Sequence, residues 1–445
     1  MEIQDLKQWL KERRITEVEC LVPDMTGNAR GKIIPADKFL ADEGMRLPEQ
    51  IFIQTVTGDW PDDCSMVHPG DIDMFARPDP ASARIVPWAE DATAQIIHDC
   101  YGRDGELYPL APRTVLRRIL ALYMREGWTP VIAPEVEFFL VQKNTDPDFP
   151  LLPPIGRSGR SETARQSYSI DAVNEFDPLF EDMYDFCEAM ELDVDTLIHE
   201  SGAAQMEVNF RHGDPMELAD QVFLFKRTMR EVALRHGVYA TFLAKPMATE
   251  PGSAMHMHQS LLDKDGRNVF ADEQGGMTDL FRHFIGGLQK YTPAAMAFFA
   301  PNVNSYRRFA KELAAPINLH WGWDNRTAGL RVPFSSAADM RVENRLAGAD
   351  VNPYLAMAAS LACGYLGMKQ RIEPTEPLET NAYEMPFGLP RNIEESLDLL
   401  RASTELQTLM GPDFVKAYAG IKAKEYETFF RVISSWEREF LLLNV

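Results

Sequence analysis

Apolar and polar positions along this 445-residue chain recur with periods that name its elements. Ile3, Leu6, Trp9 and Leu10 fall at helical spacing and predict a short amphipathic helix over 3–14. Extended runs at 18–22 and 30–35 flank the turn-forming stretch Pro23-Asp24-Met25-Thr26-Gly27-Asn28, which predicts a hairpin. From about 50 to 104, short strands alternate with Pro, Gly and Asp clusters. A helix then begins around Pro112-Arg113 and runs to Glu126. Beyond it, helices predicted at 175–191, 215–236, 277–291 and 351–369 alternate with strands at 130–141, 205–210, 239–244 and 254–262. The stretch 144–168, rich in Pro, Ser and Gly, reads as a mobile surface loop. This is an α+β pattern: a β-rich domain over 1–108, then a domain over 109–445 with helices backing an antiparallel sheet. No fixed-period repeat, G-x-G-x-x-G or Walker loop is present.

Composition narrows the classes. With 45% apolar and 25% charged residues the chain is globular, and a net charge of -22 argues against a nucleic-acid partner, which needs basic patches. Cys20, Cys64, Cys100, Cys187 and Cys363 are scattered without a C-x-x-C pair, as suits reduced thiols. No apolar run approaches the ~20 residues needed to cross a bilayer, and the acidic N-terminus is not a signal peptide. A cytoplasmic protein with no membrane partner is expected.

The candidate chemistry sits on these elements. Glu135 and Glu137 lie i, i+2 in Pro134-Glu135-Val136-Glu137-Phe138-Phe139-Leu140, so both carboxylates share one face of a strand. Two like charges side by side in an apolar strand are costly unless a cation lies between them. A solvent-facing sheet edge is the alternative for such a pair alone. His256 and His258 repeat the spacing after Gly252-Ser253. Glu200 and Glu207 are separated by a small-residue turn that can fold both acids onto one site. Arg308, Arg326, Arg331, Arg341 and Arg345 offer forks for carboxylate or phosphate oxygens, and Glu343 alternates with Arg341 and Arg345. Imidazole beside carboxylate leaves the metal open among magnesium, manganese and zinc.

Taken in order, P-E-V-E-F-F, E-x6-E, G-S-A-M-H-M-H-Q-S, N-S-Y-R-R, N-R-T-A-G-L-R and R-V-E-N-R form a specific series. Asp24-x-x-Gly27-x-x-Arg30-Gly31-Lys32 precedes it and Asn352-Pro353-Tyr354 follows it. The series resembles the bacterial-type glutamine synthetases and their γ-glutamyl-amine ligase relatives, most of all the γ-glutamyl-polyamine branch. The resemblance implies a β-grasp-like N-terminal domain and a catalytic domain whose antiparallel strands form a two-ended funnel. It also implies two stacked hexameric rings, with active sites between subunits. ATP, L-glutamate and two or more Mg2+ or Mn2+ ions per site come with it. Glu137, Glu200 and Glu207 would hold the first metal, and Glu135, His256 and Glu343 the second. Gly252, Arg308, Arg326 and Arg345 would hold glutamate. Arg326 and Arg331 would face the transferred phosphate, and His258, Gln259, Ser260, Arg331 and Arg341 the nucleotide. The apolar end 440–445 resembles the tail that pins one ring to the other, or else is a helix end packed on its own subunit. Tyr383 lies where some relatives are adenylylated, with an ordinary loop tyrosine as the other reading.

Three departures from the ammonia-using members bear on substrate. Their acidic flap residue before Ala-Pro is matched by Ala314, their F-D-G-S-S loop is missing with Thr55–Trp60 as its nearest counterpart, and an asparagine near the H-x-H loop is replaced by Pro251. Losing those acids leaves room for an amine larger than ammonium, with Trp321-Gly322-Trp323 as a possible cation–π wall. The expected reaction is ATP-dependent joining of glutamate to a primary amine, a polyamine first, through γ-glutamyl phosphate, with an ammonia-using glutamine synthetase as the alternative and a non-catalytic structural relative after it. An alkylammonium of pKa near ~10 is about one part in a thousand neutral at pH 7, a cost of roughly 4 kcal/mol that some carboxylate must help meet. Glu200, Asp59 and Glu312 are the candidates.

Overall fold

The computed structural model describes residues 2–42, 44–163, 165–311 and 314–445, organised around two β-sheets. The first contains β1 (Glu17–Pro23), β2 (Ala29–Pro35), β3 (Met45–Pro48), β4 (Asp73–Pro78), β5 (Arg84–Ile85) and β6 (Thr93–Tyr101). Its order is β2-β1-β6-β4-β3, with β5 on β6. β1 and β6 run parallel at its centre, in the β-grasp manner. The predicted hairpin is β1–β2, and the first helix, Ile3–Glu12, buries Leu6 and Leu10 as its spacing requires.

The second sheet holds β7 (Thr129–Gln142), β8 (Val194–His199), β9 (Gln205–Phe210), β10 (Val238–Thr241), β11 (Met255–Leu262), β12 (Trp321–Trp323), β13 (Leu330–Val332) and β14 (Val342–Asn344). The order is β12-β13-β14-β11-β7-β9-β8, with β10 on β7, antiparallel throughout except for the parallel pair β12–β13. Alternation divides its residues cleanly. Val136, Phe138, Met206, Val208, Met255, Met257, Leu330 and Val342 turn into the core, all fully buried. Long helices Pro215–Arg235, Asp279–Phe299 and Pro353–Gln370 complete that core. Glu135, Glu137, Glu207, His256, His258, Arg331 and Glu343 occupy the intervening positions on the opposite face.

Helix Asp279–Phe299 overruns its predicted end because it passes straight through Pro293. An interior proline costs about 3 kcal/mol, and burying Met296, Phe298 and Phe299 beyond it returns about 1.5–3 kcal/mol each. Gly287 lets this helix touch Pro353–Gln370: a Cβ there would sit 2.5 Å from the Gly367 Cα.

Polar contacts tie the first sheet to the elements of the second, two of them buried networks. Asn352 at the N-cap of Pro353–Gln370 donates from Nδ2 to the Asp24 carbonyl at 2.9 Å, while the Asp24 carboxylate holds Arg30 at 2.7 Å. Arg113, 3% exposed at its side chain, reaches Asp79 and Asp99 at 2.7 Å and Asp220 of helix Pro215–Arg235 at 2.9 Å. The five cysteines are free. Among the described residues no helix is long and apolar enough to cross a membrane.

Candidate active site

Strand register assembles the site in a row. Glu207 stands opposite Glu137, Glu135 opposite His256, His258 opposite Glu343, and Glu343 opposite Arg331. Glu200 follows β8 and returns to the row through the turn 201–204. Three donor groups result, each with ligand atoms within 4.8 Å of one another: Glu137, Glu200 and Glu207; Glu135, Glu207 and His256; and Glu135, His258 and Glu343.

The electrostatics separate the two ends. Burial, and then the charge of Glu200, push Glu137 up to about 8. Burial likewise raises Glu200 and Glu207, the latter also through Glu135, Glu137 and Glu200. These three carboxylates are crowded and short of cations. At the other end, burial opposes ionisation of Glu135 and Glu343 but is overcome. Hydrogen bonds to His256 at 3.2 Å and His258 at 2.9 Å hold Glu135 well below the usual carboxylate range. Arg345 brings Glu343 down to about 2, and Arg331 Nη1 donates to it at 2.7 Å. Burial, followed by Arg345, pushes His256 down to about 4, leaving a neutral ring that can donate a lone pair at neutral pH.

This donor set fits divalent cations. Three clustered carboxylates with raised pKa carry a charge that a cation would neutralise, and Glu135 with His256 or His258 and Glu343 forms a mixed nitrogen and oxygen set beside it. The sign of the consequence is definite. A carboxyl whose folded pKa is raised keeps its stabilising proton below the unfolded value, near 4.5, and loses that contribution as pH rises through about 8. The stabilisation gained on adding Mn2+ to chelator-treated protein is therefore expected to grow between pH 6 and pH 8. Melting temperatures with and without metal across that range measure it, and a difference that shrinks with pH contradicts the cluster.

Neighbours fix the cluster. Glu137 Oε2 accepts from the Ala254 N–H at 2.8 Å and from Gln205 Nε2 at 3.1 Å. Gln205 Nε2 also reaches the Gly252 carbonyl at 3.0 Å. The turn carrying Glu200 is gripped twice: the Ala204 N–H donates to Glu162 at 2.7 Å, and the Ala203 N–H to Glu250 at 3.0 Å. Glu162 also receives His199 Nε2 at 3.0 Å, while His199 Nδ1 lies 2.6 Å from the Glu200 carbonyl. No sequence signal marked Glu162, which comes from the loop over 144–168. Gln205 is a spacer position of the E-x6-E run, a pattern that names only its acids.

Other expected residues are placed differently. Arg308 directs both terminal nitrogens to the carbonyls of Leu346 and Arg345 at 2.8 Å, so its fork pins the chain after β14, while its charge acts on Glu137. Gly252 is pressed against the Arg308 stem, where a Cβ would lie 2.5 Å from Arg308 Cγ. Gln259 turns to the core face between Met257 and Leu261, whereas Ser260 shares the face of His256 and His258. Arg341 touches His258 Nδ1 at 3.2 Å, and the guanidinium groups on Glu343 are instead Arg331 and Arg345. Arg331 is also held by Asp324. Arg326 is exposed and makes no hydrogen bond or ion pair among the described residues.

Of the two tryptophans, Trp323 alone is open to solvent. Trp321 is buried with its indole N–H on the Thr375 carbonyl at 2.6 Å. Trp323 is exposed and stacks on Phe334 with ring centroids 6.2 Å apart. The Tyr383 hydroxyl donates to the Ala315 carbonyl at 3.1 Å. Asp59 is exposed and accepts from Thr57 at 3.0 Å; Glu312 lies outside the described residues.

Comparison with known proteins agrees with this geometry. A family model described as glutamine synthetase, catalytic domain, matches residues 109–441. The γ-glutamylputrescine synthetase PuuA of Escherichia coli is 33% identical, over 99% of this chain and 95% of its own length. A glutamine synthetase of Pyrococcus horikoshii is also 33% identical, over 94% and 90%. A solved structure of a GmaS/ADP complex superposes with a TM-score of 0.85 at 27% identity, covering 99% of this chain and 100% of that one. The chain belongs to the glutamine synthetase family and is a ligase of that family.

Proposed function

We propose that the enzyme joins the γ-carboxylate of L-glutamate to a primary amine, a polyamine such as putrescine or spermidine, using ATP and a γ-glutamyl phosphate intermediate. The observation that carries this reading is the row itself, with a cation-seeking carboxylate cluster at one end and Glu343 locked by Arg331 and Arg345 at the other. In this reading residues 109–445 form the catalytic domain and 1–108 a separate N-terminal one.

Glu137, Glu200 and Glu207 would hold one Mg2+ or Mn2+ ion, and Glu135, Glu343 and His256 a second, with His258 close enough to share it. When bound, such ions neutralise and align phosphate oxygens. The chain's own groups do the rest. Arg331 is preset by Asp324 and Glu343, so its guanidinium needs no reordering to meet a transferring phosphoryl group. Arg326, exposed and unpaired among the described residues, is free to follow substrate. Ser260 and Arg341 border His258 on the nucleotide side. Arg345 and Arg308, with Gly252 pressed against the Arg308 stem, are the candidates for holding glutamate, and Arg308 also fixes the backbone after β14.

The amine is argued from the flap. Ala314 is exposed where ammonia-using relatives carry an acid, and a γ-glutamylputrescine synthetase stands among the similar proteins. A second reading, glutamine synthetase itself, is supported by the equal identity to the Pyrococcus enzyme. ATP hydrolysis with glutamate and a panel of amines decides between them, and turnover with ammonium far above every amine sinks the first. Ala314 has φ of 64°, a left-handed conformation equally strained for alanine and glutamate, so Ala314→Glu changes charge and bulk alone. That variant is expected to lose about tenfold on bulky amines and to gain on ammonium. An unchanged amine profile removes the flap from the account.

The family's ring assembly belongs to the same proposal. Leu443 and Val445 are 90% and 96% exposed, so the apolar tail is not packed on its own subunit and is free for a neighbour.

A further inference from the structure

A cavity of about 870 Å3 lies outside the row and includes none of its carboxylates or histidines. Its walls come from the loop at Val56 and Thr57, the segment 245–248, the stretch 301–307, and the end of helix Pro412–Phe430. The lining is mainly apolar, with Pro246, Ile393 and Phe429 among it, and the size is within the usual range for small-molecule sites. Its charges are unbalanced. Lys422 is paired with Glu425 at 2.8 Å, and Glu425 also accepts the Val56 N–H at 2.7 Å, so that carboxylate is spent. Lys245 and Arg307 remain. Arg307 is exposed, with no hydrogen bond or ion pair among the described residues, and the Lys245 ammonium donates only to the Glu250 carbonyl. Arg307 without a partner and Lys245 with only the more distant charge of Glu250 beside it, over an apolar wall, favour an organic anion over a polyamine.

The Lys245 contact also ties the cavity to the site. Asn304 holds the Lys245 backbone from both sides, at 2.8 and 2.9 Å, leaving the ammonium as the movable part. The Glu250 carbonyl it binds belongs to the residue whose carboxylate grips the Ala203 N–H in the Glu200 turn. Two residues on, the Gly252 carbonyl takes the same Gln205 amide that holds Glu137.

We infer that this cavity binds a small organic carboxylate with an apolar body, and that the bound anion draws Lys245 from Glu250 and slackens the loop that positions Glu200 and Glu137. The regulatory half rests on the row being the active site; the binding half does not. Calorimetry on the full-length enzyme with Mg2+ tests it, with 4-phenylbutyrate as probe and 4-phenyl-1-butanol as its uncharged counterpart. Saturable binding of the carboxylate is expected, about tenfold weaker for the alcohol and for Arg307→Ala, the loss of one charge-assisted contact. Turnover with the preferred amine should fall severalfold at saturating phenylbutyrate in the native enzyme, and hold steady in Arg307→Ala. No saturable heat, or equal affinity in Arg307→Ala, overturns the site. Full turnover at saturation overturns the coupling. Failure of every amine as substrate would instead remove the proposed reaction, and the calorimetry would still decide the site.

Discussion

Glu137→Gln is expected to lower kcat by about a thousandfold or more while raising the melting temperature of the metal-free protein. Glu137 contributes to the most electron-rich donor group and is only 6% exposed. Charge stabilisation of a transferring phosphoryl group by bound cations is worth several kcal/mol, and each ~1.4 kcal/mol is tenfold in rate. A neutral amide cannot supply the missing negative charge. It can still accept from the Ala254 N–H and the Gln205 amide, so the local backbone is kept. Removing one of three mutually repelling buried carboxylates relieves the strain that raises their pKa values. Steady-state kinetics at saturating metal, with thermal unfolding in chelator, read both halves. Near-normal turnover would show that the cluster is not the metal site.

The largest effect on stability should come from Arg113→Ala. Its guanidinium reaches Asp79 and Asp99 of the first sheet's segment and Asp220 on the helix behind the second, at 2.7, 2.7 and 2.9 Å. Asp220 also receives the Tyr354 hydroxyl at 2.6 Å. Arg117 also pairs with Asp99 at 2.6 Å, but removing the cation shared by all three carboxylates leaves Asp79 and Asp220 uncompensated, at about 3–5 kcal/mol. Urea unfolding measures this, with Arg113→Lys expected to recover part of the loss. A change under about 1 kcal/mol would mean that water and rearrangement replace the arginine without difficulty.

Much of this was open to reading from residue order. Period-two alternation in 130–141 and 254–262 gave two central strands of the second sheet, and with them the shared faces of Glu135 with Glu137 and His256 with His258. Pro112 marked the start of one helix, and the helices predicted at 215–236 and 351–369 begin in the structure at Pro215 and Pro353, each with proline at its first position. The three-residue strands β12, β13 and β14 could not be found this way, since each is too short to show a period and forms only because a neighbour supplies its hydrogen bonds. Alternation around Glu343 names Arg341 and Arg345; Arg345 does reach it, but register with β13 puts Arg331 there in place of Arg341.

What the sequence by itself determined is the chemistry available: which acids and imidazoles face one way along each strand, because side-chain alternation is a local property of extended backbone. What only the tertiary structure decided is who meets whom. The pairing of β11 with β7 and β14 set Glu135 against His256 and Glu343 against His258. The burial of Arg308 on two carbonyls, the turning of Gln259 to the core side, and the grip of Glu162 on the Glu200 turn were settled likewise. These depend on contacts between residues tens to hundreds of positions apart, whose energies no local pattern encodes.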